Sequence, residues 1–285
     1  FCKFCVVPYT RGAEFSRSPK EIINECEELL DNGAKEITLL GQNVNAYNYD
    51  GKKLSDLIFK ISKFKKIKRL KYTTSHPIDF TEDLIRAHGS CDKLMPLIHL
   101  PVQSGSNKIL KSMNRKHTVE DYLKLIENLK KENPLIKFSS DFIIGYPGET
   151  EKDFELTMKL IKEVEFINTY SFIFSARPGT PAANLKKLDI NIAKKRLVEF
   201  QKLSNEIKLK YKKSLISSEI PVLFENSMNN KPKNYFGRDE FSNSVVVKSN
   251  DDLKGEIKKI KVINVNQNTL FGVIIGNEEK KEFAA

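Results

Sequence analysis

The chain has 285 residues, which is long enough for one large domain with a buried core and a small second one. It is 40% hydrophobic and 30% charged, as globular proteins are, and no run approaches the roughly 18 apolar residues of a membrane span, so we expect no membrane association. The net charge of +11 favours a polyanionic partner, because Lys and Arg side chains neutralise phosphates.

The first residues of the chain do not look like a natural start. Phe1 to Cys5 lack an initiating Met and the basic and apolar segments of a signal peptide, so we expect the true N-terminus to lie upstream. Cys2 and Cys5 form a Cys-x-x-Cys, whereas Cys26 and Cys91 are isolated; this is not a secreted disulfide framework, and it predicts a reducing cytoplasm. Cys26 falls on the apolar face of a predicted helix and is expected to be buried, and Cys91 falls in a predicted loop.

Helices and strands alternate along the first 180 or so residues, and each strand opens into a polar loop. The predicted elements are helix 19–31, strand 36–40, helix 54–64, strands 69–73 and 97–100, helix 119–129, strand 138–144, helix 154–164 and strand 170–174. Crossovers of this length connect parallel strands, so the pattern predicts an α/β parallel sheet, either an open doubly wound sheet or a partial barrel. In both, ligands bind at the carboxyl ends of the strands, where the polar loops lie.

The remainder of the chain has a different pattern of predicted secondary structure. A long basic helix is predicted over 191–211, and short β-rich runs at 220–224, 244–248, 256–265 and 268–275 predict a small β-barrel. We therefore expect a first domain over 1–213 and a second over 214–285. The basic excess lies in 52–71 and 186–213, and each stretch is either a phosphate-binding surface or a solvated helix face.

The Cys-x-x-Cys could belong to a zinc site, a redox pair or an iron-sulfur ligand set. No second cysteine pair is available for zinc. The run Cys2-Lys3-Phe4-Cys5-Val6-Val7-Pro8-Tyr9-Thr10-Arg11-Gly12, followed by Ser16-Arg17-Ser18-Pro19, resembles the cluster loop of radical S-adenosylmethionine (SAM) methylthiotransferases. In that family three cysteines hold a 4Fe-4S cluster and leave one iron open to SAM. The resemblance implies that Cys2 and Cys5 are metal ligands and that the third precedes residue 1, so this fragment should hold the cluster poorly.

Further blocks extend the resemblance over essentially the whole chain. Residues 39–47 (LLGQNVNAY) are typical of the tRNA-directed, MiaB-type branch. The other matching blocks are 99–106 (HLPVQSGS), 141–150 (DFIIGYPGET) and 174–183 (FSARPGTPAA). Five matches in order are more specific than any one of them. The fold that they imply is a partial (βα) radical-SAM barrel.

A SAM pocket needs close backbone donors, polar side chains and an apolar wall, and the strand-end blocks contain such residues. The resemblance and the strand-end positions together suggest cofactor contacts from Arg11, Gly41, Gln42, Asn43, Gln103, Asp141, Gly145, Pro147, Gly148 and Glu149. For Gly105 and Gly179 a simple tight turn is the favoured interpretation. For His76, His88, His99 and His117 we expect structural or surface roles.

The resemblance also implies chemistry and partners. In the family an electron from the cluster cleaves SAM, the resulting radical takes a hydrogen from an adenine carbon, and sulfur and methyl follow. A second 4Fe-4S cluster belongs to an N-terminal domain that is missing here. The terminal barrel resembles a TRAM domain, an RNA-binding module, with RNA contacts expected from Lys231, Lys233, Tyr235 (or Phe236) and Arg238.

The favoured interpretation is a monomeric enzyme that methylthiolates isopentenylated adenosine beside the anticodon of tRNA, with an electron donor and a sulfur source as further partners. Methylthiotransferases acting on threonylcarbamoyl-adenosine or on a ribosomal protein remain alternatives, as does a non-catalytic RNA-binding fragment.

Overall fold

A computed structural model of the protein describes residues 2–73, 75–228 and 231–276, without the side chains of residues 228, 231 and 232. The chain divides into two units, Phe1–Ile207 and Lys208–Ala285, and the boundary predicted after residue 213 falls in the same long helix as this division. Within the described ranges, no helix combines the length and apolar character that a bilayer crossing requires.

The first unit is an α/β structure. Its strands are β1 (Glu36–Leu39), β2 (Asn48–Tyr49), β3 (Lys52–Lys53), β4 (Arg69–Tyr72), β5 (Leu97–His99), β6 (Lys137–Ile144) and β7 (Asn168–Ile173). Its helices are α1 (Val7–Arg11), α2 (Pro19–Asp31), α3 (Leu54–Ser62), α4 (Glu82–Ser90), α5 (Asn107–Ser112), α6 (Val119–Glu132), α7 (Glu151–Val164) and the start of α8 (Ile190–Ser214). Short 3₁₀ turns lie at Val44–Ala46, Pro77–Asp79 and Pro181–Asn184.

The main strands are parallel, as the alternating sequence pattern predicts. β1 pairs with β4, and β5, β6 and β7 form a second ladder in that order. A parallel bridge between Leu70 and Leu94 connects the two ladders just before β5. The result is a curved parallel sheet with helices on one face, as in a partial (βα) barrel.

Two apolar cores lie between the sheet and its helices. The larger packs the alternate β6 residues Phe138, Phe142 and Ile144 against α6, α7 and Phe200 of α8. The other packs β1 and β4 against α2, α3 and α4, and it buries both Cys26, as predicted, and Cys91, which lies at the C-terminal end of α4 rather than in an open loop. Helix starts are specified locally; Ser18, for example, forms a capping box with Glu21, an arrangement that contributes about 1 kcal/mol.

The second unit contains a closed barrel of five strands. They are β8 (Glu219–Met228), β9 (Lys231–Arg238), β10 (Ser244–Lys248), β11 (Ile257–Val265) and β12 (Thr269–Ile274), ordered β10-β12-β11-β8-β9. The predicted barrel is thus confirmed, although β9 was not predicted. Its core is a small apolar cluster that includes Val222, Phe224 and Val245.

Candidate cofactor site

The cysteine loop is attached to the first unit by backbone hydrogen bonds. Cys5 N donates to Cys2 O at 3.0 Å, Lys3 N donates to Met113 O at 2.9 Å, and Ala182 N donates to Lys3 O at 3.0 Å. The Phe4 ring packs into an apolar cluster with Met113 and Tyr146. Both thiols are half-buried. The loop therefore has a defined position, with its two sulfur atoms partly accessible.

Arg115 joins the cysteine loop to the sheet, and the sequence analysis missed it. Its Nη1 lies 3.7 Å from Cys2 Sγ, and its Nη2 donates to the carbonyl of Pro101, just beyond β5. The Nε atom is buried without a partner among the described residues. The unpaired Nε–H of this guanidinium leaves one buried donor for a further group. No local periodicity marks Arg115, because 113 positions separate it from Cys2.

Two uncharged histidines lie close to this arginine. The His76 and His117 rings meet edge to face at 5.8 Å, and both ring nitrogens of His117 are buried without a partner in the described part of the chain. Burial, reinforced by the Arg115 charge, lowers the pKa of His117 to about 3 and that of His76 to about 4. The sequence analysis expected structural or surface roles for the histidines, and neither His76 nor His117 is an exposed surface residue. His88 is also buried; it has a structural role and forms a hydrogen bond of 2.7 Å with the Tyr72 hydroxyl.

The polar loop after β1 lies close to this histidine pair. Asn45 and His76 exchange two bonds of 2.8 Å, from His76 N to Asn45 Oδ1 and from Asn45 Nδ2 to His76 O. Asn43 Nδ2 donates to Asp79 at 2.7 Å, while its Oδ1 is buried and unpaired within the described residues. Gly41 and Gln42 are exposed. Of the three predicted residues here, Asn43 has a free buried acceptor of the kind that a ligand would occupy.

Gln103, four residues beyond the end of β5, lies beside Asp141, which is within β6. Gln103 N donates to Asp141 O at 2.9 Å, and Gln103 adopts a left-handed φ of 76° that bends the chain there. The Asp141 carboxylate is 3.3 Å from His99 Nε2. The sequence predicted both residues as site members, and the structure brings their backbones into hydrogen-bond contact.

The loop after β6 is anchored by a buried ion pair. Glu149 Oε1 accepts from Gly145 N at 3.1 Å and from Arg196 Nη1 at 2.8 Å. Burial raises the pKa of Glu149, and the Arg196 charge acts in the opposite direction. Gly145 has φ 70° and lies against Ala193, whose Cβ would be 2.8 Å from an added Cβ. In this structure the Glu149 carboxylate therefore holds the loop, while Pro147 is buried and Gly148 exposed.

The other predicted residues lie apart from these contacts. Arg11 is exposed at the end of α1. In the second unit Lys233 is exposed, Tyr235 packs partly against the barrel core, and Arg238 lies over the Phe236 ring and pairs with Glu225 at 3.0 Å. The Lys231 side chain is outside the described residues. The RNA contacts proposed for these residues stay predictions.

The residues present fit SAM better than they fit a complete metal site. Among the described residues, no group of three His, Cys, Asp or Glu side chains could hold a metal ion, and the cysteine loop itself offers the two thiols of Cys2 and Cys5. Unpaired buried atoms of Asn43, Arg115 and His117 nevertheless lie around the cysteine loop and the loop after β1. Such atoms are costly unless a ligand or water satisfies them, which fits a polar cofactor.

The fold and the cysteine loop define a class of protein. The radical SAM superfamily model matches residues 1–161, more than half of the chain, so the chain belongs to this superfamily. A radical S-adenosylmethionine methyltransferase, TsrM, from Kitasatospora setae, solved with cobalamin and a 4Fe-4S cluster, has a similar fold, with a TM-score of 0.53 and 18% identity over 64% of this chain and 36% of that one.

Relatives with higher sequence identity to this chain share one name. The chain is 55% identical to a tRNA-2-methylthio-N(6)-dimethylallyladenosine synthase of Pelagibacter ubique (strain HTCC1062), over 99% of this chain and 64% of that protein. It is 50% identical to a protein of the same name from Wolbachia sp. subsp. Brugia malayi (strain TRS), over 95% of this chain and 63% of that protein. The chain thus spans somewhat less than two thirds of these relatives.

Proposed function

We propose that the protein is a radical SAM tRNA methylthiotransferase that adds a methylthio group to isopentenylated adenosine next to the anticodon. The observation that carries the proposal is the cysteine loop. Cys2 and Cys5 are half-buried, and Cys2 lies beside Arg115, which reaches the Pro101 carbonyl just beyond β5, at the end of the sheet to which the sequence assigned SAM contacts. The 55% identity to a named tRNA-2-methylthio-N(6)-dimethylallyladenosine synthase over 99% of the chain supports a tRNA substrate.

The residues have distinct roles in this proposal. Cys2 and Cys5 would supply two thiolates to a 4Fe-4S cluster, with further ligands from outside the described residues. Arg115, Asn43, Gln103 and Asp141 would bind and orient SAM. The cluster and SAM together supply the reducing and radical chemistry, while the protein orients the reactants and excludes water.

Other parts of the proposal rest on the family alone. A second cluster, a sulfur source and an electron donor would act together with the part of those relatives that this chain does not span. We infer a TRAM-like RNA-binding role for the barrel, and a cytoplasmic, monomeric enzyme.

The test uses the protein as its gene encodes it, reconstituted anaerobically with iron and sulfide. It is given SAM, reductant and isopentenylated tRNA that lacks the methylthio group, and the digested nucleosides are analysed by mass spectrometry. We expect methylthio-isopentenyladenosine from the wild type and none from Cys2→Ala or Cys5→Ala. Cys26→Ala is the matched control, because it removes a buried thiol far from the loop in sequence and should keep product and iron content.

Two other outcomes would count against the proposal. SAM cleavage without a tRNA product would move the substrate to another branch of the family. Product formation that survives loss of Cys2 and Cys5 would remove these residues from the cluster site.

A further inference from the structure

Two aromatic side chains on β7 are unusually exposed for a strand of a parallel sheet. Tyr170 is 49% exposed and Phe172 is 61% exposed. Parallel strands are normally covered on both faces, so an open aromatic surface on one of them suggests an interaction site. Tyr170 and Phe172 are called the aromatic pair below.

The pair lies on the inner face of the sheet, opposite the helices. On β6, Phe142 and Ile144 point into the helix-covered core, so Asp141 and Ile143 face the other way. The parallel register pairs Asp141 with Tyr170 and Ile143 with Phe172, which places the aromatic pair on the same inner face, one strand over. Neighbouring strands are about 4.8 Å apart.

This face adjoins the cysteine loop. Ile143 packs against the same apolar cluster as Phe4, which lies between Cys2 and Cys5. Ile143 and Phe172 are register partners on adjacent strands. The backbone of Phe172 therefore lies about one strand spacing from Ile143, which contacts that cluster. A flat ligand resting on the aromatic pair would lie beside the candidate cofactor site.

The Tyr170 ring is held in place by polar groups. His99 meets it edge to face with 5.8 Å between ring centroids, and Asn168 Nδ2 donates to its hydroxyl at 3.1 Å. His99 is itself fixed from both sides, by Asp141 at 3.3 Å and by Ser139 Oγ at 3.0 Å from its Nδ1. A fixed ring loses little entropy when it binds a partner, so this arrangement is preorganised for stacking.

We propose that the aromatic pair is the platform on which the target adenine of the RNA substrate stacks. The inference rests on the proposed function and deepens it. Proteins that read single-stranded RNA splay a base out and stack it on aromatic rings beside polar groups. Exposed rings with a histidine, an asparagine and a carboxylate around them match this chemistry, and the net charge of +11 suits a polyanion.

The experiment compares two RNA hairpins bound to the protein as its gene encodes it. Both are anticodon stem-loops; one carries isopentenyladenosine at the target position and the other has an abasic nucleotide there. Dissociation constants are measured at fixed salt for the wild type and for Phe172→Ala and Tyr170→Ala. Phe172→Tyr is the conservative variant, and Phe59→Ala is the control because Phe59 is an exposed aromatic on α3.

Loss of one stacking ring should weaken binding of the base-containing hairpin about 5- to 150-fold, and should leave binding of the abasic hairpin within about two-fold. Phe172→Tyr should retain the preference for the base, and Phe59→Ala should change neither constant. An equal loss for both hairpins, or a wild type that does not distinguish them, would overturn the platform.

A parallel product assay separates the two hypotheses. If the wild type forms the methylthio product but the alanine variants keep the wild-type preference for the base, the platform is wrong and the proposed function stands. If the wild type forms no methylthio product on any isopentenylated tRNA, the proposed function fails, and the inference fails with it.

Discussion

Replacing Arg196 by Ala should destabilise the loop after β6, because the buried carboxylate of Glu149 would lose the cation that it pairs with. Arg196 donates to Glu149 Oε1 at 2.8 Å, to the Glu149 carbonyl at 3.2 Å and to Glu151 at 2.8 Å, and it lies over the Phe154 ring. The Glu149 side chain is 1% exposed, so its carboxylate would lose its cation without gaining water. Removing one partner of a buried ion pair costs about 3–5 kcal/mol.

The variants that test this mechanism form a double-mutant cycle. Urea unfolding, followed by far-UV circular dichroism, gives the free energy of unfolding for Arg196→Ala, Glu149→Gln and the double variant. We expect the double variant to be more stable than Arg196→Ala, because the orphaned charge is gone. Arg86→Ala is the control; it breaks an exposed pair with Glu82, with side chains 64% and 89% exposed, and should cost less than about 1 kcal/mol.

Hydrogen exchange adds a local measurement at the site. Gly145 N donates to Glu149 Oε1, so its amide should exchange faster in Arg196→Ala than in the wild type. A cost below about 1 kcal/mol for Arg196→Ala, or a double variant no more stable than the single one, would refute the role assigned to the buried pair.

Three further predictions concern other parts of the first unit. His88 is buried and its pKa is lowered to about 3, so the unfolded state binds its proton more tightly, and stability should fall as the pH drops from about 6.5 to 3, by at most about 1.4 kcal/mol per pH unit; His88→Gln should reduce that slope in unfolding titrations. Gly105→Ala would place a Cβ 2.6 Å from Leu156 O, on the backbone of α7, and should lower the free energy of unfolding by about 1–3 kcal/mol in urea titrations; an unchanged midpoint would restore the simple turn expected from the sequence. Arg115→Lys, which lacks the fork that reaches both Cys2 and the Pro101 carbonyl, should lower SAM affinity measured by calorimetry, and unchanged affinity would count against its role.

The elements that the sequence predicted correctly are those with strong local signals. Helix α2 has both a Ser-Pro start with a capping box and a regular apolar face, and its predicted bounds match the structure. Helix α4 was missed because Leu84, Ile85 and Ala87 give only a short apolar face that ends at Gly89. β9 was missed because polar residues and Gly237, which lies against Leu223 O, break the alternating pattern.

The site was predictable to the level of loops, not of individual contacts. Strand-end logic identified the loops after β1, β5 and β6, because the carboxyl ends of parallel strands share one edge. It could not identify Arg115 or Arg196, since each meets its partner across a long stretch of chain; 47 positions separate Arg196 from Glu149. Pairings of this kind are set by tertiary packing and leave no periodicity in the sequence.

Glu149 shows why a motif position does not by itself define a role. The sequence marks it as a cofactor residue, and a carboxylate at a strand end could equally bind a ligand or hold the loop. Its burial and its bonds to Gly145 and Arg196 favour holding the loop, which leaves backbone groups of the loop to meet a ligand. Glu149→Gln should therefore lower SAM affinity only as far as it loosens the loop, so that the loss of affinity follows the Gly145 exchange rate across the variants of the cycle. A loss of affinity without faster exchange would instead indicate direct contact between the carboxylate and SAM.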